Sequence, residues 1–352
     1  MSFPRVGIVG LGLIGGSLAK LIREVFPDTH IVGVSRSQSA CTQAIADGVL
    51  SSAGTDIRIL AKMSLVFVAT PIGMIVDTVK CLQEILAPTA IVTDVASVKR
   101  DIVEALSASA SPRQKEKRSK GLRPLDPVSG KAGSIPGGAN GIPGGAGGIS
   151  GSAVSFPGGA GGGQGAQPLG ASTLCDLAEP NHKALFIGGH PMAGKETTGY
   201  AASEVQMLIG ATYVLMPSLD PRRQSFETYL KNLKFRVVTM SPEDHDEAVA
   251  LASHGPYVMA CLTAGTLLKS PYVDAGKQLI SSGFRDTTRV ACSPAQWGAA
   301  VCLDNADAVL AFLQSVSADM GTLSALITSG DAAALTRYFE TIAVQRRGLF
   351  PV

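Results

Sequence analysis

His190 is the residue of this chain whose type and setting best suit proton transfer. It stands in the run Gly-Gly-His-Pro-Met-Ala-Gly after a β-rich apolar stretch, and Pro191 restricts the backbone that follows it. In an open α/β sheet, side chains at the carboxyl ends of parallel strands line the ligand crevice. Because an imidazole titrates near neutral pH, the position favours a general base over a purely structural histidine.

A second group of residues suits phosphate binding. Gly10, Gly12 and Gly15 have the GxGxxG spacing, between a predicted strand and a predicted helix. The first glycine permits a tight turn, the second lets the backbone approach a pyrophosphate, and the third lets helix and strand pack closely. The phosphates then lie at the helix N-terminus, at Leu13 and Ile14. The alternative is a tight turn without a ligand, but the strand and helix on either side favour a dinucleotide site.

The end of the second predicted strand bears on the choice of dinucleotide. NAD sites usually carry an acidic residue there for the ribose hydroxyls, whereas this chain has Ser35 and Arg36. A guanidinium pairs well with a phosphate. The sequence therefore predicts NADP as cofactor, the alternative being a solvated arginine in a loop.

The elements that position these residues alternate between strand and helix, which is typical of a parallel sheet built from βαβ units. The predicted strands are 5–10, 30–34, 65–69, 90–94 and 184–187, with further strand-like runs at 212–216 and 235–240, and the predicted helices are 13–25, 39–46, 75–86 and 98–106.

The pattern changes twice along the chain. Residues 107–181 are rich in Gly, Ala, Ser and Pro, which predicts a disordered insertion. After Ser241, helical patterns dominate at 244–268, 296–327 and 332–346. We expect a Rossmann-type domain over 1–241, which includes the insertion, followed by an all-helical substrate and dimerisation domain over 242–352.

Composition narrows the class of protein. Apolar residues make up 45% of the 352 positions and charged residues 16%, with a formal net charge of +2. This predicts a globular protein with neither a nucleic-acid nor a membrane partner, since the apolar runs look too short or too interrupted to cross a bilayer. The six cysteines stand singly, so we expect reduced thiols, no metal site and a cytoplasmic location. The first strand begins close to Met1 and leaves no room for a targeting peptide, although a trimmed transit peptide would imply the plastid stroma.

Six motifs along the chain resemble those of the prephenate/arogenate dehydrogenase family of tyrosine biosynthesis. They occur in the family's order over nearly the whole chain outside the insertion. The motifs are GLGLIGGS, TPI at 70–72, DVASVK at 94–99, GGHPMAGKETTG at 188–199, DHDEAV at 244–249 and SSGFRDTTR at 281–289. The run GVSRSQSAC is similar to that of NADP-using arogenate dehydrogenases of cyanobacterial type.

The resemblance implies a reaction and the residues that perform it. Family members transfer a hydride from C4 of a cyclohexadienol to the nicotinamide as the ring carboxylate is lost. His190 would be the base for the C4 hydroxyl, and Ser97 would bind that hydroxyl or orient His190. Alternatively, Ser97 caps a helix that begins at Val98. Thr70 and Pro71 would contact the cofactor.

The resemblance also implies where the substrate carboxylates bind. Arg289 matches the family's substrate-binding arginine, Arg285 is a second candidate, and Asp286 would brace both. The alternative is a surface salt-bridge cluster among these three residues. Tyr257 stands where some relatives carry a substrate-contacting histidine, which bears on the choice between arogenate and prephenate.

The sequence also gives expectations for two aromatic residues, His254 and Trp297. We expect His254 to be structural or to support other site residues. Trp297 is the only tryptophan, and we favour a core position for it over the wall of the site.

The resemblance therefore predicts an NADP-dependent arogenate dehydrogenase that forms a homodimer. A prephenate dehydrogenase is the second candidate. Another NADP dehydrogenase of this architecture and a catalytically inactive NADP-binding protein are more distant ones, and the HPMAG and FRDTTR runs, with His190, Ser97 and Arg289 intact, disfavour them.

Overall fold

A parallel six-stranded sheet forms the N-terminal half of the protein. The structure, a computed structural model, describes residues 3–107 and 183–349. All neighbouring strands run parallel, in the order β3-β2-β1-β4-β5-β6. The strands are β1 (Arg5–Val9), β2 (His30–Val34), β3 (Ser52–Gly54), β4 (Leu65–Val68), β5 (Ile91–Asp94) and β6 (Leu185–Ile187). This confirms the predicted Rossmann-type architecture and adds β3, which is too short to stand out in the sequence.

Helices cover both faces of this sheet, and the strands are accordingly apolar on both sides. The helices of this half are α1 (Leu13–Val25), α2 (Gln38–Ala46), α3 (Ile75–Ile85) and α4 (Arg100–Ser107). On α1, Leu18, Leu21 and Ile22 recur at helical spacing and are fully buried. One face of the sheet packs on α1 and α2, and the other packs on α3 and α4.

His190 lies in a second, smaller sheet rather than at the end of a parallel strand. The strands of this sheet are β7 (Gly189–Pro191), β8 (Thr212–Leu215) and β9 (Arg236–Thr239), and α5 (Arg222–Asn232) connects β8 to β9. β7 runs antiparallel to β8, and β8 runs parallel to β9. The strand-like runs at 212–216 and 235–240 are therefore strands, but they do not extend the parallel sheet.

The C-terminal half is helical, as predicted. Its helices are α6 (Pro242–Val249), α7 (Gly255–Leu268), α8 (Val273–Gln278), α9 (Ser282–Thr288), α10 (Ala295–Asp304), α11 (Ala306–Ser329) and α12 (Ala332–Leu349). A π-helical turn, Ala250–His254, joins α6 to α7. The helix predicted over 296–327 is two helices, because the chain breaks at Asn305, whose backbone has left the helical region.

Helix α11 corrects the expectation that no apolar run is long enough to cross a bilayer. By length and composition alone its 24 residues could cross a bilayer. None of its most apolar 18-residue stretch is buried in the structure. α11 and α12 together expose large apolar side chains, among them Met320, Ile327, Phe339 and Ile342. Exposed apolar side chains of this size suit burial against a partner.

The predicted insertion lies almost entirely outside the described residues. α4 ends at Ser107. β6 begins at Leu185 and pairs with β5 as the edge strand of the parallel sheet. The described chain therefore enters and leaves this segment at the amino ends of the strands, opposite the edge that carries the glycine turn.

Candidate active site

The glycine turn after β1 has the geometry that a dinucleotide requires. Gly10 adopts a φ of +95°, and a Cβ there would lie 2.4 Å from the carbonyl oxygen of Ala69. At Gly15, a Cβ would lie 2.0 Å from the Gly10 carbonyl oxygen. A Cβ on Gly12 would instead meet nothing within 4 Å, so this backbone faces open space. The turn is thus closely packed behind and open in front, where a phosphate would approach.

Two unsatisfied groups border that open space. Helix α1 begins at Leu13, and its N-cap Gly12 provides no side chain to accept from the first N–H groups, those of Leu13 and Ile14 among them. The Thr70 hydroxyl at the end of β4 is buried without a hydrogen-bond partner among the described residues, while Pro71 beside it is exposed. A helix N-terminus binds phosphate oxygens, and a buried hydroxyl that lacks a partner suits a polar ligand. The residues present therefore fit a dinucleotide.

The end of β2 offers a cation without a partner. Arg36 is exposed and makes no hydrogen bond or ion pair with any described residue. The Ser35 hydroxyl accepts from the Ser37 N–H at 3.2 Å, and Ser37 in turn caps α2 through the Ala40 N–H. The turn is held by its serines, which leaves the guanidinium of Arg36 available for an anion.

His190 is held in one orientation by a second histidine. Its side chain lies on β7 and is 8% exposed, and Nδ1 lies 2.8 Å from Nε2 of His245. Burial, and then the neighbouring His245 and Lys99, hold the pKa of His190 well below its usual value. A buried imidazole of this kind is neutral at physiological pH and can accept a proton.

Asp246 fixes His245 in turn. Oδ1 of Asp246 lies 2.7 Å from Nδ1 of His245. The same carboxylate accepts the Lys99 N–H at 2.8 Å and the Arg100 N–H at 2.9 Å, where α4 begins. Burial alone would raise the pKa of Asp246, but the hydrogen bonds from His245 and from these two N–H groups hold it below its usual value. The motif DHDEAV thus joins α6 to the nucleotide-binding half, a role that sequence reasoning did not assign to His245.

A buried ion pair shapes the turn between β5 and α4. Nζ of Lys99 lies 2.5 Å from Oδ2 of Asp94, and both side chains are fully buried. The ammonium also donates to the carbonyl oxygens of Ala96 and Val98, at 2.9 and 3.0 Å. The other carboxylate oxygen of Asp94 accepts the Gly189 N–H at 3.1 Å. The pair therefore connects the turn that carries Ser97 to the strand that carries His190.

Ser97 is bound by Trp297, which corrects two expectations. The indole Nε1–H donates to Ser97 Oγ at 3.1 Å, and no hydrogen bond joins Ser97 to His190 among the described residues. Ser97 does not cap α4 either, since the helix begins at Arg100 and Asp246 accepts its first N–H groups. Trp297 is half-buried and belongs to the wall of the site rather than to the core.

Two more aromatic residues surround the indole of Trp297. The Tyr257 and His254 rings meet it edge-on, with centroids 5.2 and 6.2 Å away. His254 is fully buried, its Nδ1 lies 3.3 Å from Asn305 Nδ2, and burial lowers its pKa to about 4. Tyr257 is half-buried on α7. His254 thus supports the wall, while Tyr257 is accessible.

The arginines of the FRDTTR run do not form the cluster that a surface salt-bridge network would. Arg289 pairs with Glu196, six residues after His190 along the chain. Arg285 and Asp286 are exposed, and among the described residues no ion pair joins Asp286 to either arginine. Arg289 therefore lies against the loop that follows β7. The expectation that Asp286 braces both arginines is wrong.

No metal centre accompanies these groups: within residues 3–107 and 183–349, no three His, Cys, Asp or Glu side chains come together as ligands would. In the same ranges, five cysteines form no disulfide. His182 and Cys175 lie outside the described residues.

Comparison with known proteins finds two related domains in the chain. The nucleotide-binding domain of prephenate dehydrogenase matches residues 18–116 and 173–239, and its dimerization domain matches residues 241–341. The break in the first match falls within the predicted insertion. A prephenate dehydrogenase from Bacillus subtilis is 26% identical over 97% of this chain and 75% of its own length.

Two solved structures share the fold over nearly the whole chain. Synechocystis arogenate dehydrogenase is 28% identical, with a TM-score of 0.66, over 98% of this chain and 99% of its own. Aquifex aeolicus prephenate dehydrogenase, solved with hydroxyphenyl propionate and NAD+, shares the fold at 24% identity and a TM-score of 0.71, over 99% of each chain. Since the two domain matches together span most of the sequence, the chain belongs to the prephenate/arogenate dehydrogenase family of oxidoreductases.

Proposed function

We propose that the protein oxidises and decarboxylates arogenate to tyrosine with NADP. The observation that carries the proposal is the buried His190 imidazole, whose Nδ1 is bound to His245 and whose Nε2 is left for a substrate. The identity with Synechocystis arogenate dehydrogenase supports arogenate as the substrate.

His190 acts as the general base. Its Nε2 accepts the proton of the C4 hydroxyl while the hydride leaves C4, and the nicotinamide, when bound, accepts that hydride. Loss of the ring carboxylate as carbon dioxide makes the ring aromatic, which drives the reaction. A base placed in this way contributes roughly 10²- to 10⁴-fold to the rate.

Ser97 acts as a donor to the same hydroxyl oxygen. Because the Trp297 N–H already occupies an acceptor site on Ser97 Oγ, and because the Ser97 proton has no acceptor among the described residues, that proton is available for the substrate. A hydrogen bond to the oxygen favours the negative charge that develops as His190 removes the proton.

Arg289 binds a substrate carboxylate. Its guanidinium side chain is 64% exposed and pairs with Glu196, so a substrate carboxylate replaces the Glu196 carboxylate in an arrangement the arginine already adopts. Arg285 is a second, exposed cation on α9, and Tyr257 lines the wall beside Trp297. The aminoacyl or pyruvyl side chain of the substrate lies toward Tyr257.

The cofactor is NADP, held by the glycine turn, by Leu13 and Ile14 at the N-terminus of α1, and by Thr70 and Pro71 at the end of β4. Arg36 and Ser35 bind the 2′-phosphate. The unpaired guanidinium and the absence of a carboxylate at 35–39 support this choice.

The protein acts as a homodimer in the cytoplasm, with the first domain over 1–241 and the second over 242–352. The match to a dimerization domain and the apolar faces of α11 and α12 support a dimer. Burial of these faces between subunits also explains why α11 resembles a membrane span.

A prephenate dehydrogenase is the second candidate, because the Bacillus subtilis relative bears that name. Initial rates with arogenate and prephenate, each tried with NADP and with NAD, distinguish the candidates. We expect the highest kcat/KM for arogenate with NADP. A higher value for prephenate would select the second candidate, and no turnover in any combination would overturn an enzymatic function.

A further inference from the structure

We propose that His190, His245 and Asp246 form a closed proton store, which takes the substrate's hydroxyl proton and returns it to the product. The inference rests on the proposed function and deepens it: His190 accepts the proton, and His245 and Asp246 are positioning residues that act through it.

The hydrogen bonds fix one proton arrangement for the resting site. An ionised carboxylate only accepts, so the contact between Asp246 Oδ1 and His245 Nδ1, at 2.7 Å, places a proton on Nδ1 of His245. A neutral His245 then has its lone pair on Nε2, which accepts from Nδ1 of His190 at 2.8 Å. His190 in turn has its lone pair on Nε2. The carboxylate thus makes Nε2 of His190 the acceptor for the substrate's proton.

The proton then has a path inward. When Nε2 of His190 gains the hydroxyl proton, its Nδ1 proton can pass to Nε2 of His245. His245 becomes the imidazolium, with its Nδ1–H still bound to Asp246. No bond other than N–H is made or broken, and the positive charge comes to lie beside a carboxylate.

No path outward is visible for the described residues. His245 is fully buried and Asp246 is 1% exposed. The Asp246 carboxylate is already occupied by the Lys99 and Arg100 N–H groups, which cannot pass a proton on. The store can therefore discharge only through His190.

The proposed reaction needs no outward path. Removal of the C4 hydroxyl proton and hydride, followed by loss of carbon dioxide, leaves a phenolate. The phenolate takes the stored proton back from Nε2 of His190 and leaves as a phenol. The hydroxyl proton is thus retained through the cycle.

The hydrogen bonds place a carboxylate against His245 and none against His190 among the described residues. Burial, and then the neighbouring His245 and Lys99, disfavour a positive charge on His190. The other titratable groups against the pair are Lys99, which Asp94 neutralises, and His254, whose pKa near 4 keeps it uncharged. Asp246 is the carboxylate that lies within the hydrogen-bond chain.

His245→Gln tests the store, because an amide can accept from His190 but cannot hold the proton. We expect kcat to fall by about tenfold to a hundredfold. The acidic limb of the kcat/KM profile should move by about one unit or more, because the limb of the unaltered enzyme belongs to two coupled imidazoles and that of the variant to His190 alone. His30→Gln is the control: it alters an exposed histidine on β2, outside the hydrogen-bond chain, and its limb should stay in place. A limb that stays in place in His245→Gln would overturn the proposal.

A single turnover of the unaltered enzyme in weak buffer gives an independent test. With a pH indicator present, NADPH should form without a simultaneous proton, and acidification should follow only as the released carbon dioxide hydrates. A proton released at the same rate as NADPH would contradict a closed store. His190→Asn separates the two ideas, since full activity in that variant would refute the base itself, whereas an inactive variant beside an unshifted His245→Gln limb would refute only the store.

Discussion

The buried pair of Lys99 and Asp94 allows a quantitative test of how the site is held in place. Replacing Lys99 with Met keeps most of the volume but leaves the Asp94 carboxylate fully buried, with only the Gly189 and Ala96 N–H groups as partners. Removing one partner of a buried pair costs about 3–5 kcal/mol. At about 2–4 °C per kcal/mol for a domain of about 150–250 residues, the size range of the nucleotide-binding half, the Tm of that domain should fall by roughly 6–20 °C.

A double variant shows whether the loss comes from the unpaired charge. In Asp94→Asn with Lys99→Met, both charges are gone, and the amide can use the carbonyl oxygens of Ala96 and Val98 that Lys99 vacates. We expect this variant to recover at least half of the lost stability, because a buried pair replaced as a unit is often neutral in stability.

Thermal unfolding of Lys99→Met, Asp94→Asn and the double variant, with Lys277→Met as control, measures these losses of stability. Lys277 forms an exposed ion pair with Asp274, and its loss should leave Tm nearly unchanged. If Lys99→Met unfolded at nearly the same temperature as the unaltered protein, or if the double variant lost the sum of the two single losses, an unpaired buried charge would not be the cause. In Lys99→Met, kcat should fall as well as Tm. The reason is that the Lys99–Asp94 pair joins the turn that carries Ser97 to β7.

Three further predictions concern the cofactor, the substrate and pH. Arg36→Ala combined with Ser35→Asp should shift preference from NADP toward NAD by about ten- to a hundredfold, since a charge-assisted hydrogen bond is worth roughly 1.5–3 kcal/mol; a parent enzyme that already prefers NAD would refute the assignment. Arg289→Ala should raise the KM for the substrate sharply at unchanged NADP affinity. Glu196→Gln should lower that KM by up to about fivefold, because the substrate carboxylate then has no competitor for Arg289. A fall in Tm with unchanged KM in Arg289→Ala would show that the Arg289–Glu196 pair is structural. Burial lowers the pKa of His254 from 6.5 to about 4, so the unfolded chain binds the extra proton and stability present above about pH 6.5 is lost as pH falls toward 4. Between about pH 7 and 5 this loss is about 2 kcal/mol. His254→Gln should reduce the difference in unfolding free energy between these two pH values by that amount, and an unchanged difference would contradict the assignment.

The parallel sheet was predictable because its signals are local. Strands β1, β2, β4 and β5 are apolar runs between helices of regular periodicity, and the glycine spacing marks the turn after β1. The short strand β3 and the helices α5, α8 and α9 gave no such pattern. The three-stranded sheet was missed as a separate unit because strand pairing is a non-local property: β7 pairs with β8 across twenty residues of intervening chain.

The site was predictable to the extent that single residues carry their own chemistry. His190, Ser97 and Arg289 could be selected by residue type and motif. Their partners could not, because those contacts join distant parts of the chain: Trp297 binds Ser97, Glu196 binds Arg289, and Asp246 binds the start of α4. The one sequence signal for such a partner was the DHDEAV run, in which His245 stands next to Asp246, an unusual pair of residues to be buried together.

The proposed reaction depends on His190 as the base that removes the substrate's hydroxyl proton. The measurement that tests this role is kcat for His190→Asn with arogenate and NADP, made beside NADP affinity and Tm. We expect kcat to fall by about 10²- to 10⁴-fold while NADP affinity and Tm remain close to those of the unaltered enzyme. A variant that keeps most of its kcat, together with the acidic limb of its pH–rate profile, would show that His190 is a structural residue.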